Sequence, residues 1–205
     1  AARERREQDK AQAQAMAATR AQALWRDAMP ATVAHPYIAS KQIPAMGLRQ
    51  AGPVVLVPLQ TVEGKLINLQ RIGPNGEKRF FQGGRVMGCF ALVGAQIPET
   101  GELYIAEGWA TAVTIHTTLR VPVVAAMNAG NLRPVALDIR RKYPRLALVV
   151  AADNDHRTEG NPGIRKGQEA ARAVQGAITW PTVCMDHDCG CTDFNDTAHC
   201  QRAGQ

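Results

Sequence analysis

The stretches that decide the fold of this chain are Tyr104-Ile105-Ala106-Glu107-Gly108 and Leu148-Val149-Val150-Ala151-Ala152-Asp153-Asn154-Asp155, two apolar runs that end in carboxylates. Continuous apolar runs of this length are typical of strands buried on both faces of a parallel sheet. The acids then lie at the carboxyl ends of these strands, the edge of an open α/β sheet where ligands bind. Each pair of carboxylates at ~4 Å costs about 4 kcal/mol at an effective dielectric of ~20. Because a divalent cation relieves this repulsion, we expect Mg²⁺ at Glu107, Asp153 and Asp155.

The charge of the chain is unevenly distributed. A length of 205 residues fits one large or two small domains, and the formal net charge is +6. Residues 1–100 hold 13 Lys/Arg against 7 Asp/Glu, whereas residues 101–205 hold 11 against 11. A basic first half beside a neutral second half suits a polyanionic substrate, although a solvated basic surface explains the same composition.

The composition also bears on location. No run approaches the ~18 apolar residues of a membrane span, and the charged N-terminal stretch has no apolar signal region. The five cysteines are an odd number in a chain without an export signal. We therefore expect a cytoplasmic protein with reduced thiols and no membrane partner.

The first half of the chain predicts a helix followed by short strands. Residues 3–28 have a narrow apolar stripe at helical spacing, so this helix needs a partner or an upstream domain. Gly-rich turns separate the strand candidates, and Asn75-Gly76 predicts a hairpin. The stripe consists of Ala17, Ala21, Leu24 and Ala28, and the strand candidates are 54–57, 66–69, 79–81 and 89–93.

The second half alternates strand and helix four times, which predicts a parallel sheet with right-handed crossovers. We therefore expect an α/β protein with three parts: a helical lead-in (1–45), a basic β-rich subdomain (46–100) and an α/β domain (101–205). The predicted strands are 103–106, 121–126, 146–152 and 178–183, and the predicted helices are 109–119, 132–143 and 163–177.

The strand-Glu-Gly-helix unit at Glu107, followed two strands later by Asp153-Asn154-Asp155, resembles the Toprim domain. Bacterial-type primases, type IA and II topoisomerases and some nucleases share that domain, which has a Rossmann-like parallel sheet. Asp153 and Asp155 match its Asp-x-Asp pair, and a spacing of two in extended chain places both on one side. The alternative is that these acids are helix caps or turn residues.

A finer resemblance covers roughly residues 30–200 and points to primases of plasmids, phages and other mobile elements. Such primases usually carry a Cys/His zinc-binding domain before the catalytic part, and nothing in residues 1–100 matches one. The sequence shows no continuation into a helicase either; both departures fit a fragment and leave open whether this piece acts alone. The matching segments are His35–Lys41, Val57–Leu59, Gly64–Ile72, Glu77–Phe80, Glu107–Ala112, Asn128–Leu132, Ala152–Asp155 and Asp193–Asp196.

The resemblance implies a nucleotidyltransferase that makes short primers on single-stranded DNA from NTPs, with Mg²⁺ or Mn²⁺. Asp153 and Asp155 would bind the metal, and Glu107 would be a ligand or the general base. Asp193 and Asp196 would add ligands directly or through water, or would only cap the last helix. A helicase or another replication protein is the implied partner.

Basic residues of the β-rich subdomain would hold the template backbone and the incoming triphosphate. Phe80 and Phe81 could stack on bases, but we expect at least one of them to lie in the core. Asn131 would lie near the metal, or would cap the following helix. The implied binding residues are Lys65, Arg71, Lys78, Arg79, Arg85 and Asn131.

Cysteine and histidine residues cluster near the end of the chain. Zinc takes four such ligands in a tetrahedron, but the spacing here is not a clean pair of knuckles. The possible zinc ligands are Cys184, His187, Cys189 and Cys191, and His199 and Cys200 follow them.

Two other functions use the same features. Toprim nucleases hydrolyse phosphodiesters with the same acids, and a module that only binds single-stranded DNA could retain the fold without catalysis. The basic subdomain favours a primase over a nuclease. The retained Glu107, Asp153 and Asp155 argue against a module without activity.

Overall fold

A computed structural model describes residues 2–182 and 189–200. The chain forms two compact units. The first contains Pro44–Phe90 and the chain before Lys41, and the second contains Lys41–Ile43 and the chain from Ala91 onward. The division therefore falls earlier than the boundary at residue 100 that the sequence suggests.

The first unit is built on an antiparallel sheet with the order β1-β2-β3-β4-β5. Strands β1 and β2 are too short to be recognisable from sequence patterns. The elements are α1 (Ala2–Asp27), β1 (Met29–Pro30), α2 (Pro36–Lys41), β2 (Arg49–Ala51), β3 (Val54–Gln60), β4 (Leu66–Ile72) and β5 (Lys78–Phe80).

Helix α1 packs its alanine stripe against this sheet. Ala17 and Ala21 are fully buried, and Ala21 forms a core cluster with Leu56 of β3 and Leu69 of β4. Leu24 packs against the same cluster. The predicted stripe is confirmed, and its partner is the sheet of the same unit.

The predicted hairpin at Asn75-Gly76 is also confirmed. Gly76 has φ +82°, a left-handed conformation that glycine adopts without strain, and β4 and β5 pair on either side of it. The register places Arg71 directly opposite Arg79.

The second unit is a five-stranded sheet with the order β10-β9-β7-β8-β6, in which all pairs except β6–β8 are parallel. This agrees with the predicted α/β class and parallel sheet. The strands are β6 (Ala91–Val93), β7 (Gly101–Ala106), β8 (Val123–Ala125), β9 (Leu146–Ala151) and β10 (Ala177–Thr179). The helices are α3 (Trp109–Leu119), α4 (Leu132–Lys142), α5 (Pro162–Ala173) and α6 (Phe194–Ala198), with a 3₁₀ turn at Ala129–Asn131.

One strand candidate lies in a different sheet from the one expected. The run 89–93 is predicted to belong to the β-rich subdomain, but Ala91–Val93 pairs antiparallel with β8 in the second sheet. Phe90 keeps a bridge to the first sheet, because its backbone pairs with that of Gln60. The apolar run is therefore divided between two sheets, which its composition does not reveal.

The register of the second sheet aligns the ends of its strands. Ala106 lies opposite both Ala125 and Ala151, so the residues that follow β7 and β9 leave the sheet at one edge. Ile105, Val124 and Val150 are fully buried, whereas Tyr104 and Val149 are half-buried, so the sheet is largely covered on both faces. Among the described residues, no helix is both long and apolar enough to cross a membrane.

Candidate active site

Five carboxylates come together at the carboxyl edge of the parallel sheet, around Asp153. Burial, followed by the negative charges of its neighbours, raises the pKa of Asp153 to about 8. In decreasing order of effect, these neighbours are Glu107, Asp193, Asp155 and Asp196. All five predicted metal residues are therefore neighbours in space.

The buried atom Oδ1 of Asp153 has no hydrogen-bond partner within the described part of the chain. A carboxylate oxygen that is removed from water and left unpaired costs free energy unless a proton or a cation compensates it. The donor set consists only of oxygen atoms, which suits Mg²⁺ or Mn²⁺. The carboxylates are nevertheless spread out: within residues 2–182 and 189–200, the only three such ligand atoms that all lie within 4.8 Å of one another belong to cysteines.

Helix α5 holds Asp155 in place. Asp155 Oδ2 accepts a hydrogen bond of 2.9 Å from the backbone N–H of Gly163, in the first turn of α5. Asn161 caps the same helix, and its Oδ1 also accepts from the backbone N–H of Asp155 at 3.0 Å. Gly163 is required here because a Cβ atom would collide with the backbone oxygen of Asp153.

Asn154, which lies between the two aspartates, is buried and links three segments of the chain by hydrogen bonds. Its side-chain amide donates to the backbone oxygen of Pro181 at 3.1 Å, and its Oδ1 accepts from Asn161 Nδ2 at 2.8 Å. Its backbone N–H donates to Thr192 O at 2.7 Å. Asn154 thus fixes the end of β9 to the chain that carries the other two aspartates.

Residues 192–196 form what we call the acidic loop. Asp193 caps α6, since its Oδ1 accepts from the backbone N–H of Asp196 at 2.8 Å. Asp196 accepts from Thr192 N at 3.4 Å and forms an ion pair with Lys41 Nζ at 3.0 Å. The predicted capping role of Asp193 is confirmed, and both carboxylates also contribute negative charge at Asp153.

Lys41 and Asn195 are site residues that were not predicted from the sequence. Burial alone would lower the pKa of Lys41, but the hydrogen bond to Asp196 and the charges of nearby aspartates outweigh it and raise that pKa. Asn195 is buried and donates to Lys41 O and Thr114 Oγ1, each at 2.9 Å. The resemblance of both segments to primases is the one signal that could have identified them.

In the first unit, Arg71 and Arg79 line a cavity of about 240 Å³ together with Val54, Gly73 and Glu77. Arg71 Nε is buried and has no hydrogen-bond partner within the residues that the structure describes. Like charges on opposed strand positions are unfavourable, and an anion between them would relieve the repulsion.

The other predicted binding residues of this unit are on its surface. Lys65 is exposed in the turn before β4, and Lys78 lies 5.8 Å from the centre of the Tyr37 ring. Arg85 is exposed and donates to Met87 O at 2.9 Å. Their contact with nucleic acid stays a prediction.

Phe81 is partly buried and packs against the core cluster under α1. The Arg71 guanidinium lies 4.8 Å from the centre of its ring, and that of Arg20 lies at 5.9 Å. The prediction that at least one of the two phenylalanines lies in the core is met only in part, because Phe81 covers the core and is itself partly buried. Phe80, in β5, is half-buried.

Asn131 is buried within the turn that connects β8 to α4. Its side chain is buried and donates to Ala126 O at 2.7 Å. The prediction that it caps α4 is wrong, because its backbone is already helical and its side chain makes no cap hydrogen bond. Asn128 caps the preceding 3₁₀ turn instead, by accepting from Asn131 N at 3.1 Å.

Of the predicted zinc ligands, Cys184 and His187 lie outside the described residues. Cys189 Sγ lies 3.1 Å from Cys191 Sγ and 3.6 Å from Cys200 Sγ. Hydrogen bonding to Cys189, followed by burial and hydrogen bonding to Cys200, raises the pKa of the Cys191 thiol.

Known proteins resemble this chain in sequence and in fold. The Toprim domain family matches residues 102–204. Two DNA primase TraC sequences from Escherichia coli are 38% identical over 162 residues and 35% identical over 184 residues. These alignments include 75% and 85% of this chain but only 15% and 13% of the relatives, so the chain corresponds to a small part of their length.

The fold has solved counterparts. The primase fragment of the bacteriophage T7 primase-helicase protein superposes with a TM-score of 0.58 at 14% identity. The superposition covers 80% of this chain and 69% of the T7 fragment. At this level of identity the likeness concerns the fold alone.

Proposed function

The chain belongs to the Toprim domain family, and from this premise we propose that it is the catalytic part of a DNA primase. It would synthesise short primers on single-stranded DNA by joining nucleoside triphosphates. The observation that carries the proposal is the group of five carboxylates around Asp153, whose buried Oδ1 lacks a partner within the described residues. The two TraC relatives, both DNA primases by name, support the choice of reaction.

Asp153 and Asp155 are the residues that would hold a divalent cation, with Glu107 beside them. A bound Mg²⁺ or Mn²⁺ supplies activation of the attacking 3′-hydroxyl and neutralisation of the pyrophosphate leaving group. Asp155 is already oriented by the Gly163 N–H, so one of its oxygens is fixed and the other could bind the ion.

The remaining acids have supporting roles in this proposal. Glu107 would either share the cation or accept the proton of the 3′-hydroxyl, since it directly follows β7 at the same edge. Asp193 and Asp196 are engaged in capping and in the ion pair with Lys41, so they would act on the cation mainly through their charge or through water.

Arg71 and Arg79 would bind phosphate groups of the template or of the incoming triphosphate. Contacts with phosphate give affinity without reading sequence, which suits an enzyme that primes at many sites. The exposed Lys65, Lys78 and Arg85 would extend this surface, whereas the buried Asn131 serves the β8–α4 turn. A helicase or another replication protein would be the partner, in the replication or transfer of a plasmid or phage.

The proposal is tested with a single-stranded template, labelled NTPs or dNTPs, and Mg²⁺ or Mn²⁺, with the Asp153→Ala variant assayed in parallel. We expect labelled oligomers that depend on the cation and disappear in the variant. Cleavage of the template without oligomers would instead identify a nuclease. Binding without either reaction, also in a longer protein that contains this chain, would identify a binding module.

A further inference from the structure

Three cysteine thiols converge beside the acidic loop. Cys189 and Cys191 are separated by one residue, and Cys200 returns to them after α6. The sulfur of Cys189 lies 3.1 Å from that of Cys191 and 3.6 Å from that of Cys200. All three sulfur atoms lie within 4.8 Å of one another.

These distances fit ligands of one metal ion better than a disulfide. A disulfide joins two sulfurs at about 2.05 Å, which is well below either separation. In a tetrahedral zinc site with Zn–S of about 2.3 Å, neighbouring sulfurs are about 3.8 Å apart. The separation of 3.6 Å is close to that spacing and the separation of 3.1 Å is about 0.7 Å shorter, so Cys189 and Cys191 would move slightly apart to accommodate the ion.

We propose that Cys189, Cys191 and Cys200 bind a structural zinc ion. Thiolates select zinc over Mg²⁺, which prefers oxygen, so this site and the carboxylate site would hold different metals. It differs from the zinc site suggested by the sequence, because Cys200 is a ligand. The proposal does not depend on primase activity.

The local fold explains how the three thiols meet. Asp193 caps the short helix α6, and one turn later the chain reverses to place Cys200 next to Cys189. Cys191 Sγ also lies 3.6 Å from the backbone oxygen of Asp196, inside the same turn. A zinc ion would therefore join the two ends of the segment that contains the acidic loop.

Through this link, a zinc ion at the three cysteines would also affect the carboxylate site. Asn154 and Lys41 hold the acidic loop through polar contacts, and Asn195 of the loop donates to Lys41 O. A metal bound by Cys189, Cys191 and Cys200 in the native state would tie the two ends of this segment together and hold Asp193 and Asp196 near Asp153. The ion would thus position acidic residues and would not take part in the reaction.

The first test measures zinc in protein purified without chelator. We expect about one zinc per chain in the wild type and a loss of most of it in Cys200→Ser and Cys191→Ser. Cys89→Ala is the matched control, since Cys89 is a buried thiol of the first unit, and its zinc content should equal that of the wild type. Wild-type protein that holds no zinc and does not take it up when Zn²⁺ is added would overturn the proposal.

X-ray absorption at the zinc edge identifies the ligands. We expect three sulfur atoms at about 2.3 Å, and the spectrum also gives the nature of any fourth ligand. A shell made only of nitrogen or oxygen would overturn the proposal. Zinc that is lost in Asp153→Asn but retained in Cys200→Ser would also overturn the proposal, because the ion would then lie at the carboxylates.

A second measurement on the wild type applies if the cysteine variants do not fold. The metal-free protein is alkylated with N-ethylmaleimide before and after addition of Zn²⁺, and the modified cysteines are mapped by mass spectrometry. We expect Zn²⁺ to protect Cys189, Cys191 and Cys200 together. Equal modification with and without Zn²⁺ would contradict the site. None of these readouts uses primer synthesis, so failure here and failure of the proposed function are distinguishable.

Discussion

Lys41 Nζ and Asp196 Oδ1 meet at 3.0 Å, although the two residues lie 155 positions apart in the chain. The ion pair places one positive charge among the carboxylates around Asp153, whose charges also act on Lys41. Lys41 therefore compensates part of the repulsion at this edge when no cation is bound.

We expect Lys41→Met to destabilise the protein most in the absence of divalent cations. Both side chains are nearly one third exposed, so the loss of the pair should lower the free energy of unfolding by only about 1 kcal/mol. Saturating MgCl₂ should reduce this difference, because the bound ion takes over the compensation. Chemical denaturation in chelator-free buffer without added divalent cations, and in the same buffer with MgCl₂, measures both values.

An equal loss of stability with and without MgCl₂ would contradict this account of Lys41. Arg145→Ala provides the comparison, since Arg145 is an exposed cation that precedes β9 and lies at the opposite end of that strand. The stability of Arg145→Ala should respond to MgCl₂ in the same way as the stability of the wild type.

The raised pKa of Asp153 predicts how stability depends on pH in metal-free protein. The native state holds this proton up to about pH 8, whereas the unfolded state releases it near pH 4. Between these values the native state binds more protons, so its stability falls as pH rises. Asp153→Asn removes this titration and should exceed the wild type in stability at pH 8, by on the order of a few kcal/mol, with little difference near pH 4.

Denaturation across this pH window, in chelator-free buffer without added Mg²⁺ or Mn²⁺, checks the sign of the effect. Glu99→Gln is the control, because Glu99 is an exposed carboxylate outside the site. A difference between Asp153→Asn and wild type that stays constant from pH 4 to pH 8 would show that Asp153 is not buried among negative charges.

Gly163→Ala tests the packing of α5 against the Asp153–Asp155 loop. The new Cβ would collide with Asp153 O and lie 2.9 Å from Asp155 Oδ2, and both are parts of the site. We expect a loss of about 1–3 kcal/mol in stability and a marked loss of primer synthesis. Gln168→Ala, on the same helix, is the control and should change neither stability nor primer synthesis. A Gly163→Ala variant that is active and fully stable would mean that the Asp153–Asp155 loop can move without loss of stability or activity.

Arg79→Ala tests the basic cavity of the first unit. We expect weaker binding of single-stranded DNA and a plot of log K against log salt that is flatter by about 0.7 for each phosphate group that the variant no longer binds. Fluorescence anisotropy at several salt concentrations measures both effects. Affinity and slope identical to those of the wild type would remove Arg79 from the interface, and Arg145→Ala serves again as the control.

The fold was largely predictable because its strands are continuous apolar runs. The runs ending at Glu107 and Asp153 locate β7 and β9, and helix α3 begins and ends at the predicted residues. The strand from Ala91 to Val93 was misplaced, since an edge strand of three residues carries no periodicity that identifies its sheet.

The part of the candidate site that lies in short sequence motifs was predictable from the sequence. Glu107 and the Asp153–Asp155 pair follow strands directly, so the parallel topology alone brings them together. Lys41 and Asn195 reach the site through tertiary contacts across more than 150 and 80 positions, which sequence spacing does not reveal. Asn131 was misinterpreted because Asn128, three residues earlier, competes for the same capping role.

The measurement that tests the central claim most directly is a titration with Mn²⁺ followed by electron paramagnetic resonance. Mn²⁺ prefers oxygen ligands, so the three thiols should not compete for it. We predict a saturable site in the wild type that is lost or strongly weakened in Asp153→Asn, while Glu99→Gln binds like the wild type. Equal Mn²⁺ affinity in wild type and Asp153→Asn, with both proteins folded, would contradict the claim that the carboxylates around Asp153 form the metal site.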